Sequence, residues 1–291
     1  MSTITPDTVG LHVARRRGSV GRIELMREGI ADILSRRRLI RYLVGADLKR
    51  THADTVIGQL WWILDPILQV VVYFLVFDLI FQRKTPDFLL FLMAAILPWK
   101  WFGTVLNDSM GSVVSRQGLI RQIPFPKIVL PTSAVLAGTV SFAISLISIV
   151  VVYPLYLSRL TPWILLIPLI AFVQLIFSLA IAMVLSAANA FYRDVSNVTG
   201  HVLRLLFYLS PILYTIDDLP SNQVVRFLFG LNPFTTLMTA YRSVLWGTKT
   251  SGHGVAPDFV ALGILLLVSF VLLGFAIAVF KRVEPALARI L

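Results

Sequence analysis

The chain has 291 residues, of which 57% are hydrophobic and 14% are charged, and its mean hydropathy is +0.82. Soluble globular domains have about 45–50% apolar and about 25% charged residues, so this composition excludes an ordinary soluble domain. The chain contains no cysteine, which excludes disulfides, thiolate metal sites and a cysteine nucleophile.

The N-terminal segment is strongly basic: the chain has a formal charge of +11, and 11 of its 26 basic residues precede Thr51. Basic clusters beside apolar segments indicate membrane orientation and anionic lipid rather than nucleic acid. The segment has no apolar run followed by a small-residue cleavage site, so we predict no cleavable secretory signal. Residues 1–27 predict a disordered cytoplasmic tail.

Residues 28–52 carry an apolar stripe at helical spacing, formed by Ile30, Ile33, Leu34, Ile40, Val44 and Leu48. This pattern predicts an amphipathic helix in the cytoplasmic membrane interface. Arg37 and Arg41 interrupt the stripe and would have to extend their charged ends to water. A soluble juxtamembrane helix is the alternative.

Six apolar windows have the length of about 20 residues that a membrane-spanning helix needs. They are residues 60–81, 92–114, 128–157, 162–190, roughly 198–216, and 259–280. The first, second and fifth contain ionisable side chains, which are rare inside membranes and candidates for function by default. In the second and fifth windows these include Lys100, Asp108 and Arg204.

A further apolar stretch, residues 222–246, is divided by Asn232 and Pro233 into pieces of about 10 and 14 residues. Pieces this short predict a re-entrant helical hairpin rather than a crossing. Counting the stretch as a seventh span would place Lys281 and Arg282 opposite the basic N-terminus, against the positive-inside rule. The sequence therefore predicts an all-α integral membrane protein with six transmembrane helices, an N-terminal interface helix and a re-entrant outer hairpin before the last span.

The distribution of basic residues predicts that both termini are cytoplasmic and that the membrane is a bacterial plasma membrane. The domain boundaries follow: a transmembrane domain at residues 57–282 and a cytoplasmic C-terminal tail at residues 283–291.

Catalytic patterns are sparse. The four histidines are scattered, and no pair has metal-ligand spacing. Asp217 and Asp218 form the one adjacent carboxylate pair, which is more typical of a solvated turn than of a metal site in a membrane glycosyltransferase. The GxxxxGK[ST] motif does not occur, so ATP-driven work would require a separate subunit. We predict no enzyme, no metal and no cofactor in this chain.

Three stretches together resemble the permease subunit of type-2 ABC exporters, in the branch that moves polysaccharides. The first, residues 58–81, has Gly58, Trp61, Pro66, Tyr73 and Phe77 at familiar places. The second is the loop GLIRQIPFPKIVLP at residues 118–131. The third comprises residues 188–194, 209–214, 231–234 and 241–242.

The resemblance implies that the loop at residues 118–131 is a coupling helix that docks into a groove of the ATPase subunit. Phe125 would be its apolar anchor, and its prolines would stiffen the connection to the next span. The residues assigned to ATPase coupling are Leu119, Arg121, Phe125, Pro126 and Lys127, together with Arg193 and Asp194 in the second inner turn.

The family likeness also implies a partner set: a second copy of the chain, two copies of an ABC ATPase that binds ATP and Mg, membrane lipid and a lipid-linked glycan. Nucleic acid is not expected. The glycan would be of the O-antigen, teichoic acid, capsule or galactan type. The channel would run between the two copies, and the outer gate would include Ser210, Pro211, Asn232, Pro233 and Phe234.

Residues that could contact the glycan and its lipid linker are chosen by their side-chain type. Aromatic side chains can hold the apolar faces of sugars, and basic groups can bind the pyrophosphate of the lipid linker. The candidate path residues are Trp62, Tyr73, Trp99, Lys100, Trp101, Phe102, Arg204, Tyr208 and Tyr214. The candidate linker-phosphate residues are Arg37, Arg38 and Arg41, which could equally bind anionic lipid head groups.

Three other functions compete with polysaccharide export. One is a type-2 ABC exporter of lipids or drugs, another is an integral-membrane polyprenyl-dependent glycosyltransferase, and the third is a passive channel. An enzyme would consume an activated sugar without an ATPase, and a channel would allow flux without nucleotide.

Overall fold

The computed structural model describes residues 21–51, 55–80, 85–220, 222–248 and 251–290, and every regular element in them is helical. We number the α-helices in chain order: α1 (Arg22–Ser35), α2 (Arg37–Thr51), α3 (Trp61–Phe74), α4 (Phe88–Val114), α5 (Gln117–Gln122), α6 (Val129–Ser145), α7 (Ile147–Val152), α8 (Ile167–Phe191), α9 (Asp194–Leu209), α10 (Gln223–Leu231), α11 (Pro233–Leu245) and α12 (Phe259–Ile290). Short 3-10 segments lie at Gly58–Leu60, Tyr153–Arg159, Pro162–Leu166 and Ile216–Asp218, and a π-helical segment lies at Leu75–Ile80.

Five helical stretches of the described chain are long and apolar enough to cross a membrane: Gly58–Asp78, Phe88–Val114, Val129–Arg159, Pro162–Phe191 and Phe259–Leu287. They coincide with five of the six predicted windows. The predicted window at residues 198–216 instead contains α9, whose 16 residues are fewer than the length that an untilted crossing needs. The helix ends because Ser210 is extended and Pro211 follows it, which removes a backbone donor.

The helix α4 forms the centre of the molecule. Of its most apolar stretch 78% is buried, compared with 11% for Gly58–Asp78, which lies at the periphery. α4 packs against α6 and α8, and α8 packs along α12. The large buried side chains of this core include Phe91, Phe102 and Trp246.

The N-terminal segment differs from the prediction in two ways. Helix α1 begins at Arg22, so residues 22–27 are helical rather than part of a disordered tail; residues 1–20 lie outside the described residues. The predicted single interface helix is two helices, α1 and α2, separated at Arg36. They form because α1 packs on α12 and α2 packs on α6, burying Leu25 from α1 and Ile40 and Leu43 from α2.

The predicted C-terminal tail at residues 283–291 is helical up to Ile290, because α12 continues through Pro285 to that residue. The continuation is stabilised by Glu284, whose buried side chain binds both Lys281 and the backbone N–H of Lys127.

Candidate functional site

A cavity of about 550 Å³ lies between α2, α3, α4 and α6. Its volume falls in the range of about 300–1,000 Å³ that small-molecule sites occupy. Three tryptophans line it, Trp61, Trp62 and Trp101, and hydroxyl groups are contributed by both α4 and α6. The cavity is therefore an amphipathic pocket within one chain.

The charged groups of this cavity are balanced. Its lining contains the carboxylates of Asp47, Asp65 and Asp108 and the cationic side chains of Arg50, Lys100 and Arg116. Lys100 binds Asp65 and so connects α4 to α3. Arg116 binds Asp47 and connects the end of α4 to α2. Two of the three cations are thus held by carboxylates, which makes the cavity a weak match to a phosphate and a better match to a neutral polyhydroxyl ligand.

The predicted path residues divide into two groups. Trp62, Lys100 and Trp101 line the cavity. Trp99 and Phe102 do not: both rings pack against Phe234, with centroids at 4.9 and 4.6 Å, and Phe102 is 1% exposed. The core of α4, α8 and α11 covers both side chains, so neither is accessible to a substrate in this structure.

The remaining path candidates do not line the cavity. Tyr73 is half-buried and stacks on Phe207 with centroids 5.9 Å apart. Arg204 and Tyr208 are exposed on α9. Tyr214 donates a hydrogen bond from its hydroxyl to the carbonyl oxygen of Tyr208, at 2.9 Å. Tyr73, Arg204 and Tyr208 form a patch along α3 and α9, and Tyr214 follows α9 in the chain.

The three arginines assigned to linker phosphate, Arg37, Arg38 and Arg41, are all exposed in the first turns of α2. Arg193 and Asp194 are exposed in the turn between α8 and α9. The structure thus leaves all five side chains accessible to a lipid or to another subunit.

The loop between the second and third spans contains the short helix α5, a non-helical stretch from Ile123 to Pro126 and a turn at residues 127–128. Phe125 is 7% exposed and packs in a cluster with Ile40, Met183 and Phe280. The ring of Phe125 is therefore covered by this chain, whereas an anchor for a partner would need to be exposed. Ile123 is 52% exposed and is the outward apolar side chain of this loop.

The gate candidates form one hydrogen-bonded corner. Asn232 donates from Nδ2 to Ser210 Oγ at 3.0 Å and to the Leu209 carbonyl oxygen at 3.3 Å. Its Oδ1 accepts from the backbone N–H of Phe234 at 3.0 Å and so caps α11, in which Pro233 is the first residue. The corner fixes where α9, α10 and α11 meet.

Two arginines, Arg242 and Arg159, are buried in the structure. Arg242 is 4% exposed and donates to the carbonyl oxygens of Ile212 and Tyr214 at 2.6 and 2.8 Å. Arg159 is also 4% exposed and binds Asp87 at 2.7 Å. Sequence reasoning missed these anchors because no sequence pattern identifies their backbone partners.

Asp217 and Asp218 lie in a 3-10 turn. Asp218 Oδ2 accepts from the backbone N–H and from the hydroxyl of Thr215, both at 2.8 Å. This geometry is a capping box, so the pair closes a turn as predicted. Within the part of the chain that the structure describes, no group of three potential metal ligands occurs.

Comparisons with known proteins give a consistent result. Residues 38–246 match the model of the family described as ABC-2 type transporter. The chain is 31% identical, over 87% of its length and 95% of the relative's, to the O-antigen export system permease protein RfbA of Myxococcus xanthus. It is 28% identical, over 87% of its length and 95% of the relative's, to the O-antigen export system permease protein RfbA of Klebsiella pneumoniae. It is 23% identical, over 79% of its length and 88% of the relative's, to the polysialic acid transport protein KpsM of Escherichia coli.

Proposed function

Because the chain belongs to the ABC-2 type transporter family, we propose that it is the permease subunit that exports a lipid-linked polysaccharide across the plasma membrane. One observation carries the proposal: 31% identity over 87% of the chain to an O-antigen export permease. The energy would come from a separate ATPase subunit that binds ATP and Mg, since the sequence has no Walker loop. The glycan would be of the O-antigen, capsule, teichoic acid or galactan type.

The proposed assembly contains two copies of this chain and two ATPase subunits, with the channel between the copies. Two outward apolar stripes are available for contact with a second copy or with lipid. Leu64, Leu68, Val71 and Leu75 are exposed along the first span, and Val202, Leu205 and Leu209 are exposed along α9. The patch of Tyr73, Arg204 and Tyr208 lies on the same two elements and would face the channel.

The proposed topology has six crossings: the five spanning stretches, and one in which α9 is completed by the non-helical residues up to 216. Both termini would be in the cytoplasm, and α10 and α11 would form a re-entrant hairpin on the outer side. The lengths of α10 and α11, 9 and 13 residues, support the hairpin because neither helix can span a bilayer. The cysteine-free chain allows a direct test with single cysteines at Gln122 and Gln223. A membrane-impermeant maleimide should label Gln223→Cys from outside and Gln122→Cys only after permeabilisation; the reverse result would refute the topology.

The proposed contact with the ATPase is formed by α5 and the residues after it. Leu119, Arg121, Pro126 and Lys127 keep the role assigned from the family resemblance, and Ile123 replaces Phe125 as the apolar anchor. Arg193 and Asp194 would contribute a second contact from the turn before α9.

The substrate would meet two sites. Arg37, Arg38 and Arg41 would attract the linker pyrophosphate at the cytoplasmic surface, with anionic lipid as the competing ligand. The cavity would hold sugar units against Trp62 and Trp101 and would hydrogen-bond them through its hydroxyl groups.

The function is tested by reconstituting the chain with its ATPase subunit in inverted vesicles and adding lipid-linked glycan. We expect ATP-dependent transfer of the glycan to the lumen, where a glycan-degrading enzyme added outside cannot reach it. An ATPase with its Walker lysine replaced is the control and should give no transfer.

The alternatives give different results in the same assay. Transfer without nucleotide would indicate a passive channel, and consumption of an activated sugar without the ATPase would indicate a glycosyltransferase. ATP-dependent movement of a drug or lipid, with the glycan left outside, would indicate a different exporter class. Each of these outcomes would overturn the proposal.

A further inference from the structure

A buried lysine lies at the end of the last span. Lys281 is 2% exposed, and its ammonium group binds Glu28 at 3.0 Å, Asp32 at 2.7 Å and Glu284 at 2.6 Å. Glu28 and Asp32 belong to α1, whereas Glu284 belongs to α12, one turn after the lysine. One ammonium group therefore connects the N-terminal helix to the last helix.

The same cluster reaches the loop after the second span through the second oxygen of Glu284. Its Oε1 accepts the backbone N–H of Lys127 at 2.5 Å, while its Oε2 accepts from Lys281. Because the donor is a main-chain group, the contact fixes the position of the loop backbone rather than the Lys127 side chain. The carboxylate thus bridges the loop and the ammonium group.

Packing around the cluster makes the three segments one body. A Cβ atom added at Gly29 of α1 would lie 2.3 Å from Ile277 of α12, so the two helices approach as closely as a glycine allows. The same added atom would lie 3.4 Å from Ile128, which directly follows Lys127. Phe125 packs in a cluster with Phe280, on the last turns of the span.

The buried ionic cluster around Lys281 makes substitution of Glu284 a specific test of the contact with the loop. A buried ionised group is stable only where it is paired and hydrogen-bonded, and removal of one partner leaves the other without compensation. Glu284 is 6% exposed and supplies the bond to the loop. Its removal should release the loop while Glu28 and Asp32 still hold Lys281.

We propose that Glu284 is a positioning residue that fastens the loop at residues 123–127 to α12 and α1, so that movement of the loop is transmitted to the last span. This inference rests on the proposed function, because it assigns the loop's partner within the transport cycle. Displacement of the loop then moves α12 through the hydrogen bond from the Lys127 N–H to the Glu284 carboxylate. This route is additional to the covalent connection from the loop into α6.

The first test measures loop attachment in the purified full-length chain. Spin labels on cysteines at Gln122 and Ala286, both exposed, report the distance between the loop and α12. We expect one narrow distance distribution in the otherwise unchanged chain. In Glu284→Ala the population with a detached loop should rise by about tenfold, the factor typical of losing a hydrogen bond to an ionised group.

Two further variants keep this test decisive. Glu284→Gln preserves the side-chain volume and one acceptor oxygen, so it should fold and give an intermediate rise. Arg282→Gln changes an exposed residue of the same helix and should leave the distribution unchanged. Distributions of unchanged width in the Glu284 variants would overturn the proposal.

The second test measures glycan export per ATP hydrolysed in the assembled complex. Glu284→Ala should lower this ratio by about tenfold while ATP hydrolysis continues, because the ATPase would then move a loop that is no longer fastened. In Glu284→Ala with cysteines at positions 122 and 286, a bifunctional thiol reagent can crosslink the loop to α12. A reagent as long as the distance measured without the Glu284 substitution should restore the ratio. A purely structural defect would not be repaired in this way.

The two tests separate the two hypotheses. An unchanged export ratio in Glu284→Ala, with the loop shown to be detached, would overturn the positioning role and leave the exporter intact. Absence of export by the unmodified complex would refute the proposed function, while the distance measurement would still decide whether Glu284 holds the loop.

Discussion

Asn232 and Ser210 are joined by a hydrogen bond of 3.0 Å from the amide Nδ2 to the hydroxyl Oγ, although 22 residues separate them. The same asparagine caps α11 through its Oδ1. Asn222 caps α10 in the same way, with Oδ1 accepting from the Val224 N–H at 2.9 Å. Asparagines therefore cap both of these neighbouring helices, and Asn232 also holds the end of α9.

Asn232→Ala should reduce stability more than Asn222→Ala. An N-cap contributes about 1 kcal/mol, and a hydrogen bond contributes about 1 kcal/mol more, so we expect losses of about 2 and about 1 kcal/mol respectively. Chemical denaturation of both variants in detergent measures the difference. Equal losses would show that the bond to Ser210 contributes nothing.

If the corner also keeps the outer side closed, vesicles that contain Asn232→Ala should leak a small sugar, and vesicles that contain Asn222→Ala should not.

Arg242 should be irreplaceable by lysine. Its guanidinium donates to two backbone carbonyl oxygens at once and lies 3.7 Å from the centroid of the Phe91 ring. A lysine has the charge but not the planar fork, so it cannot repeat this geometry. We expect Arg242→Lys to lower stability by about 2 kcal/mol, the typical contribution of a hydrogen bond to a charged group. Arg226→Lys, at an exposed position on α10, is the matched control and should leave Tm unchanged.

The sequence predicted the elements whose signal is local. Uninterrupted apolar windows such as residues 128–157 and 259–280 became helices of spanning length, and Asn232 and Pro233 mark the junction between two short helices. The window at residues 198–216 was extended too far because hydropathy does not register the break at Ser210. The side to which an apolar side chain points was also missed: Phe125 and Ile123 are equally apolar, and only the turn geometry separates the buried ring from the exposed one.

The long-range ionic contacts could not be predicted in full. The spacing of Lys281 and Glu284 is visible in the sequence, but the bond from Lys281 to Asp32 spans 249 residues. Likewise, Lys100 and Asp65 lie in two different predicted windows, and only the packing of α3 on α4 pairs them. Pairing between helices depends on their depth and rotation, which a single sequence does not contain.

The pair of Lys100 and Asp65 should matter more for transport than for stability. Its side chains are 32% and 59% exposed, and pairs this accessible contribute about 0–1 kcal/mol. Lys100→Met and Asp65→Asn should therefore leave Tm almost unchanged while lowering export, because each leaves one unpaired charge in the cavity. The exchange Asp65→Lys with Lys100→Asp restores the pair and should recover most of the export. Recovery no better than in the single variants would show that the lysine itself, and not the pair, is needed.

Ile123 and Phe125 should separate partner binding from folding. Ile123→Asp places a charge on an exposed side chain, so the chain should keep its Tm but retain much less ATPase subunit on co-purification. Phe125→Ala opens a cavity beside Ile40 and Phe280, for which truncation of a buried phenylalanine costs about 3–5 kcal/mol, so it should lower Tm sharply. Ser35→Asp adds the same charge at an exposed position of α1, outside the proposed contact, and controls for charge alone. If Ser35→Asp released the ATPase subunit as fully as Ile123→Asp, a specific anchor at Ile123 would be refuted. Normal Tm in Phe125→Ala would refute the packing role of that ring.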